Sequence, residues 1–323
     1  MQRIITPKRA IAWIALATVI ILLPDSIFAQ QKSKLRPLHI ALANHSVSMT
    51  AIYVAKHLGI FENYGYDARV LVLEPRAALA ALLTGDLHFY TAIGSTGRAA
   101  LRGVPVRVGL VALNRSDFML VAAKEIANIE QLRGKVIGGY VAQGTVNVIL
   151  TELLRRKGLG PEDYKIINVG TARAAALASG NVPAALVNSV ETVRLLKQGF
   201  HVVARATDEL EIPQSGLGFS IATLQSQRDF LRPAAQAVLE AIRVIAAQKD
   251  KTSTVLMKQL ALSQDEASYV YDAIHKGWAL DGKPTPAAMK LEFELDRRDI
   301  GLKELPKPEQ IYDFSLLDEL AKR

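Results

Sequence analysis

The chain of 323 residues contains no cysteine. This absence excludes disulfide bonds, thiolate zinc sites, iron–sulfur clusters and cysteine nucleophiles. Aromatic residues are also few, at 6% of the sequence. Of all residues, 50% are hydrophobic and 22% are charged, and the formal net charge is +8. Such a composition is typical of a globular protein and excludes a disordered or fibrous chain, and the length allows about two domains.

A membrane-spanning stretch is missing as well. The apolar run at residues 10–23 is shorter than the roughly 20 residues that a spanning helix needs. It follows three basic residues and ends at Pro24, with the small residue Ala29 shortly after. This order is typical of a secretory signal peptide. We therefore predict a signal peptide over residues 1–29, cut after Ala29, and a mature chain in the periplasm; an uncleaved anchor is the alternative.

Signatures of metal binding, catalysis and nucleic-acid binding are also missing. The six histidines do not fall at metal-ligand spacing, so neither a metal nor a cofactor is predicted. Residues 139–146 have the glycine spacing of a phosphate loop, but Thr145 and Val146 replace the required Lys and Ser/Thr. No Gly-x-Ser-x-Gly elbow occurs, and basic residues are not interleaved with aromatic ones. The sequence therefore predicts neither an enzyme nor a nucleic-acid partner.

Short apolar runs alternate with helical patterns along the rest of the chain, which predicts an α/β fold with mostly parallel sheets flanked by helices. From residue 232 onward the pattern is helical. The predicted strands are residues 38–43, 68–73, 87–92, 106–113, 118–122, 136–140, 165–169, 184–187, 201–205 and 216–222, with a loop over residues 208–215.

One part of this pattern occurs twice. Residues 80–88 and residues 175–183 both read as a helix end, a glycine and the start of a strand, with Gly85 and Gly180 in equivalent places. The same order of elements surrounds both copies. Two similar α/β lobes are the simplest explanation of such a repeat.

Five stretches resemble the periplasmic substrate-binding proteins of ABC importers, in the branch that binds nitrate, sulfonates, taurine and thiamine pyrimidines. They are residues 51–66, 81–87, 129–138, 175–182 and 313–315. The resemblance implies the two-lobed periplasmic binding protein fold, with two hinge crossings near residues 119–122 and 212–217. Lobe 1 would comprise residues 30–120 plus 217–323, and lobe 2 residues 121–216.

The family resemblance also implies the function. We expect a monomeric, non-enzymatic solute-binding protein that closes on a small ligand and delivers it to an inner-membrane ABC permease. A pyrimidine-synthase-like enzyme and a ligand sensor on the same fold are the alternatives. The family usually has an aspartate at two positions that here are His88 and Pro183. Both lie where a strand begins, so we expect this difference to change local packing.

Ligands of α/β sheets bind beyond the carboxyl ends of the strands. The loops expected there carry hydroxyls, amides and glycines, and free N–H groups at helix starts favour anions. Tyr140 could stack on a flat ligand and Arg115 could pair with an acid, whereas Arg98 and Arg173 read as helix-surface charges. We predict a small anionic organic ligand, such as a sulfonate or carboxylate. The predicted ligand-binding residues are Asn44, His45, Ser46, Ser48, Gly94, Ser95, Thr96, Asn114, Arg115, Tyr140, Gly144, Thr145, Asn188 and Ser189.

Overall fold

The computed structural model of the chain describes residues 34–140 and 145–322. The predicted signal peptide with its cut after Ala29, and the predicted ligand-binding residue Gly144, lie outside these ranges. Residues 36–323 form one compact unit. None of the helices in the described ranges has the length and apolar character needed to cross a bilayer.

The described strands form two mixed sheets of five strands each. Sheet A has the order β2-β1-β3-β10-β4 and sheet B the order β7-β6-β8-β5-β9. We call the part of the molecule built on sheet A lobe 1 and the part built on sheet B lobe 2. The strands are β1 Arg36–Leu42, β2 Tyr66–Val72, β3 Phe89–Tyr90, β4 Val106–Arg115, β5 Met119–Ala122, β6 Lys135–Gly139, β7 Tyr164–Asn168, β8 Ala184–Val187, β9 His201–Arg205 and β10 Glu211–Ser220.

Helices connect the strands and make up most of the C-terminal third. Short 3-10 turns lie at Val47–Met49, Ile129–Leu132, Pro161–Asp163 and His275–Gly277. The α-helices are α1 Thr50–His57, α2 Ile60–Asn63, α3 Pro75–Thr84, α4 Ile93–Leu101, α5 Thr145–Arg156, α6 Arg173–Ala178, α7 Ser189–Lys197, α8 Ala206–Glu209, α9 Ile221–Ser226, α10 Arg228–Ala247, α11 Lys249–Leu260, α12 Gln264–Ile274, α13 Pro286–Ile300, α14 Pro308–Ile311 and α15 Ser315–Ala321.

Each sheet contains one strand that runs against the others. In sheet A, β1 is parallel to β2 and β3, while β10 is antiparallel to both of its neighbours. In sheet B, β6 is parallel to β7 and β8, and β5 is antiparallel to β8 and β9. The reversed strand is the one that arrives from the other sheet, since a crossing chain enters at the edge where the other strands end. The predicted two-lobed α/β fold, with sheets whose strands mostly run one way, is confirmed.

The chain passes between the sheets at residues 116–118 and 206–210. The predicted hinge ranges 119–122 and 212–217 instead lie inside β5 and β10, and the predicted lobe boundaries cut the same two strands. The prediction of a loop over residues 208–215 was wrong, because α8 and the first half of β10 occupy it. Strand β10 accommodates Pro213 where the ladder to β4 shifts register between Glu211 and Ser215.

Helix α13 contacts both lobes. Its residues Leu291 and Leu295 belong to the hydrophobic core around sheet B. On the same helix, Phe293 packs in a cluster with Ile93 and Val108 of lobe 1. The helix therefore lies between the lobes along one side of their junction.

The two positions that depart from the family pattern lie far from the strand ends where ligands bind. His88 precedes β3, stacks on Phe230 with ring centroids 4.7 Å apart, and accepts the backbone N–H of His39 at 3.0 Å. Pro183 precedes β8, and its carbonyl accepts the backbone N–H of Ala123 at 2.9 Å. Burial lowers the pKa of His88, which keeps the stacked ring neutral. These two residues therefore act in local packing at the amino ends of the strands.

Two glycines let β10 approach its neighbours closely. A Cβ atom at Gly216 would lie 1.9 Å from the carbonyl oxygen of Leu110 on β4. A Cβ atom at Gly218 would lie 2.7 Å from Oγ1 of Thr96 on α4. The space at Gly216 is bounded by backbone, which cannot move aside without breaking the strand pairing.

We expect Gly216→Ala to lower the free energy of unfolding by about 2 kcal/mol, because the new methyl group overlaps the β4 backbone. Gly94→Ala is the matched control: its Cβ would meet no atom closer than 3.5 Å, and alanine favours the helix in which it lies. Urea unfolding followed by circular dichroism measures both. Equal midpoints for the two variants would contradict this steric explanation.

Candidate functional site

The carboxyl ends of the parallel strands in both sheets face one cleft. At the edge of sheet A, Arg115 at the end of β4 pairs with Glu211 at the start of β10. At the edge of sheet B, Val187 at the end of β8 pairs with Met119 at the start of β5. Both crossings join these two edges, so the loops that follow the strands of lobe 1 lie opposite those of lobe 2.

The lobe 1 wall begins with the loop after β1. Asn44 and His45 are exposed, whereas Ser46 and Ser48 are buried with their Oγ atoms 2.8 Å apart. The carbonyl of Ser48 accepts the hydroxyl of Ser215 at 2.6 Å, which fixes this loop to β10. The hydroxyls of Ser46 and Ser48 thus bond to each other within the loop, whereas Asn44 and His45 face solvent.

The first turn of α4 and the end of β4 complete this wall. Gly94 and Ser95 are half-buried, but Thr96 is fully buried and donates its hydroxyl to the carbonyl of Ala92 at 3.2 Å. Asn114 is buried and donates to the carbonyl of Lys283 at 3.1 Å, while its Oδ1 has no hydrogen-bond partner among the described residues. Asn114 therefore retains an unused acceptor, whereas Thr96 serves the helix.

Arg115 is held at the crossing. Its guanidinium forms an ion pair with Glu211 and donates to the carbonyl of Thr207 at 2.6 Å. An acidic ligand would have to displace Glu211 to pair with Arg115. The structure therefore makes Arg115 a link between the end of β4 and the start of β10.

In lobe 2, three of the predicted residues hold the starts of helices. Tyr140 exchanges two hydrogen bonds with the side chain of Asn147, at 2.7 and 2.8 Å, which ties the end of β6 to α5. Asn188 caps α7: its side chain accepts the N–H of Glu191 at 2.9 Å. Ser189 is fully buried and donates its hydroxyl to Asp117 at 3.1 Å. The backbone of Tyr140 and the side chains of Asn188 and Ser189 are therefore fixed by contacts within lobe 2.

The structure brings Arg173 into the cleft, and the interpretation of it as a helix-surface charge was wrong. Arg173 is only 7% exposed, and its guanidinium donates to the carbonyls of Leu186 at 2.8 Å and Gly170 at 2.7 Å. The guanidinium lies over the rings of Tyr140 and Phe118, 5.7 and 6.0 Å from their centroids. No carboxylate of the described residues lies within ion-pair distance of it.

The reason for this placement is that α6 begins at Arg173, beside the carboxyl end of β8. A side chain in the first turn can lie back over the sheet edge instead of pointing to solvent. One signal for this was present in the sequence: a cation at the start of a helix opposes the helix dipole, so a basic residue there needs a reason. Burial lowers the pKa of Arg173 and raises the pKa of Glu191, and the attraction between these two groups acts against both shifts.

Arg98 is the second arginine that the sequence placed wrongly on the surface. Its Nη2 donates to Oγ1 of Thr145 on α5 at 2.6 Å, and its Nη1 lies 3.4 Å from Oδ1 of Asp296 on α13. Asp296 is near Glu292 on the same helix, whose carboxyl group accepts the hydroxyl of Tyr312. Burial raises the pKa of Glu292 to about 8 and that of Asp296 to about 6. One cation and two buried acids thus meet where the two lobes touch.

Comparison with known proteins identifies the family. Residues 46–252, well over half of the chain, match the family model described as NMT1/THI5 like. The chain belongs to the NMT1/THI5 like family. This confirms the family resemblance that the sequence motifs predicted.

Individual relatives of this NMT1/THI5 like protein are distant. Riboflavin-binding protein RibY of Chloroflexus aurantiacus is 26% identical over 204 residues, which are 62% of this chain and 57% of RibY. The periplasmic aliphatic sulphonate binding protein SsuA of Escherichia coli has a TM-score of 0.67 at 17% identity, over 86% of this chain and 92% of SsuA. A mutant of the enzyme DSZB in complex with biphenyl-2-sulfinic acid has a TM-score of 0.68 at 14% identity, and the match covers 90% of this chain and 100% of DSZB. These structures show that the fold is shared.

We expect the stability of this NMT1/THI5 like protein to fall as pH rises from about 6 to 8, because folded Glu292 holds its proton up to a pKa of about 8 whereas an unfolded glutamate has lost its proton well below that pH. Glu292→Gln should remove about 2 kcal/mol of this decline, since glutamine cannot ionise and still offers Tyr312 an acceptor. Glu294→Gln, exposed on the same helix, is the control. Urea midpoints at several pH values measure the effect, and parallel curves for all three proteins would contradict it.

Proposed function

We propose that this protein is an extracytoplasmic solute-binding protein of an ABC importer. It captures a small anionic organic ligand between its two lobes, without catalysing a reaction, and delivers it to a permease in the inner membrane. Closure would turn about the two crossings at residues 116–118 and 206–210. The names of the relatives support this role: RibY binds riboflavin and SsuA binds aliphatic sulphonates in the periplasm.

The observation that carries the proposal is the buried guanidinium of Arg173. Its two hydrogen bonds to described residues use Nε and Nη1 and end on backbone carbonyls, which carry no net charge. Glu191 favours the charge of Arg173 only from beyond ion-pair distance, and an anion bound at the guanidinium would compensate this buried charge more fully. None of the described residues accepts a hydrogen bond from Nη2, which we assign to the ligand, at the edge of the sheet where ligands of this kind of fold bind.

The surroundings of Arg173 indicate the shape of the ligand. The rings of Tyr140 and Phe118 flank the guanidinium, so an anionic group bound there would have flat apolar surfaces beside it. Asn114, on the opposite wall, offers a buried carbonyl oxygen without a partner that could accept from a ligand donor. We infer a ligand with a carboxylate or sulfonate at one end and a flat or apolar body.

A thermal-shift screen tests this function. The purified chain is mixed with sulfonates, aromatic and aliphatic carboxylates, nitrate, pyrimidines and riboflavin. At about 100 times the dissociation constant, a ligand that binds only the folded state adds about 2.7 kcal/mol, so a true ligand raises the melting temperature clearly. We expect an anion to do so and to be recovered unchanged.

Arg173→Gln should abolish that rise, because it removes the positive charge while keeping a polar side chain with N–H donors. Arg194→Gln is the matched control, since Arg194 is exposed on α7 of the same lobe and loses the same charge. Circular dichroism establishes that both variants fold. Stabilisation by cationic or neutral compounds alone would contradict the anion assignment, and consumption of a compound would favour the enzyme alternative whose fold DSZB shares.

A further inference from the structure

We propose that Arg98 is a latch that fastens lobe 1 to lobe 2 and so sets how far the cleft opens. The role of this latch, but not the contact itself, rests on the proposed function, since a latch matters in a protein that closes on its ligand. Arg98 acts here as a positioning residue and does not itself need to touch the ligand.

The contact that makes the latch joins two elements of different lobes. Arg98 lies on α4, which packs on sheet A, and Thr145 is the first residue of α5 in lobe 2. The 2.6 Å hydrogen bond from Nη2 to Oγ1 of Thr145 is made by a guanidinium whose side chain is only 15% exposed. Water competes only weakly for the two groups of a bond that is shielded in this way, so the bond is stronger than one on an open surface.

The arginine is held from the other side by α13. Asp296 is 2% exposed and pairs with Nη1, and its second carboxylate oxygen has no hydrogen-bond partner within the described chain. Among the described residues, the hydrogen bond of the Asp296 carboxylate is therefore made to Arg98. Opening of the cleft would break the bond to Thr145 but leave the pair with Asp296, so the guanidinium stays in position to close the latch again.

The backbone leaves room for this contact. A Cβ atom at Gly94 would lie 3.5 Å from Nη2 of Arg98 and 3.8 Å from Oγ1 of Thr145. Gly94, predicted as a ligand residue, thus lies where the first turns of α4 and α5 come together. A longer side chain at this position would enter the space that the arginine and the threonine share.

Two solvent-open grooves of about 680 Å³ and 390 Å³ lie between parts of α5 and α13, and Arg298 of α13 lines both of them. Helices α5 and α13 are therefore not packed against each other along their whole length. The hydrogen bond from Arg98 to Thr145 adds a directional contact at the start of α5.

Electron paramagnetic resonance distance measurements test the latch without any ligand. Because the chain has no cysteine, two introduced residues carry the spin labels. Arg76→Cys and Thr171→Cys place them on exposed positions of lobe 1 and lobe 2. Into this labelled parent are introduced Arg98→Gln, which removes the donor, and Thr145→Val, which removes the acceptor and keeps the Arg98–Asp296 pair intact.

Both variants should shift the distance distribution to longer values by more than the width of the parent distribution. Thr145→Ser, which restores a hydroxyl, and Arg69→Gln, which removes an exposed arginine on β2 of lobe 1, should match the parent. A shift in only one of the two latch variants, or in neither, overturns the proposal. Because no ligand is present, this result is independent of whether the proposed function itself holds.

Discussion

The double crossing of the chain is the constraint on which the rest of the structure depends. The chain leaves sheet A at the carboxyl end of β4 and returns at the start of β10, so both passages use the same edge of each sheet. Every loop that follows a parallel strand is thereby brought to one cleft. The same geometry reverses β5 and β10, since a strand that begins at the cleft must run away from it. The position of the candidate site and the direction of β5 and β10 therefore both follow from the double crossing of the chain.

Two buried arginines differ in how their charge is compensated. The positive charge of Arg98 is compensated by the carboxylate of Asp296. Among the described residues, Arg173 donates to the carbonyls of Leu186 and Gly170 and lies over two aromatic rings, while Glu191 favours its charge from beyond ion-pair distance. Because partial charges compensate a buried cation less well than a full negative charge, the two residues suit different tasks. Arg98 can connect α4 to α13 and α5, whereas Arg173 can bind the proposed anionic ligand.

Local pattern was sufficient to predict the strands, the repeat and the two lobes, because periodicity and glycine stops are properties of neighbouring residues. It was not sufficient for side-chain roles. Ser189 serves Asp117, which lies 72 positions away, and Arg115 serves Glu211, 96 positions away. A Ser, Asn or Arg at a strand end has the same sequence signature whether its partner is a ligand or a distant part of the chain. Only the fold decides between them, as it did for Thr96 and Asn188.

The position of Arg173 is unfavourable on two independent grounds, and this is what makes it informative. A cation at the first residue of a helix lies at the positive end of the dipole, and its burial removes hydration that would lower its energy. Both costs act in the same direction, and both are relieved by an anion placed against Nη2. The two hydrogen bonds to carbonyls require N–H donors but no net charge. The positive charge is therefore the property that those structural contacts leave unexplained and that the proposed anionic ligand would compensate.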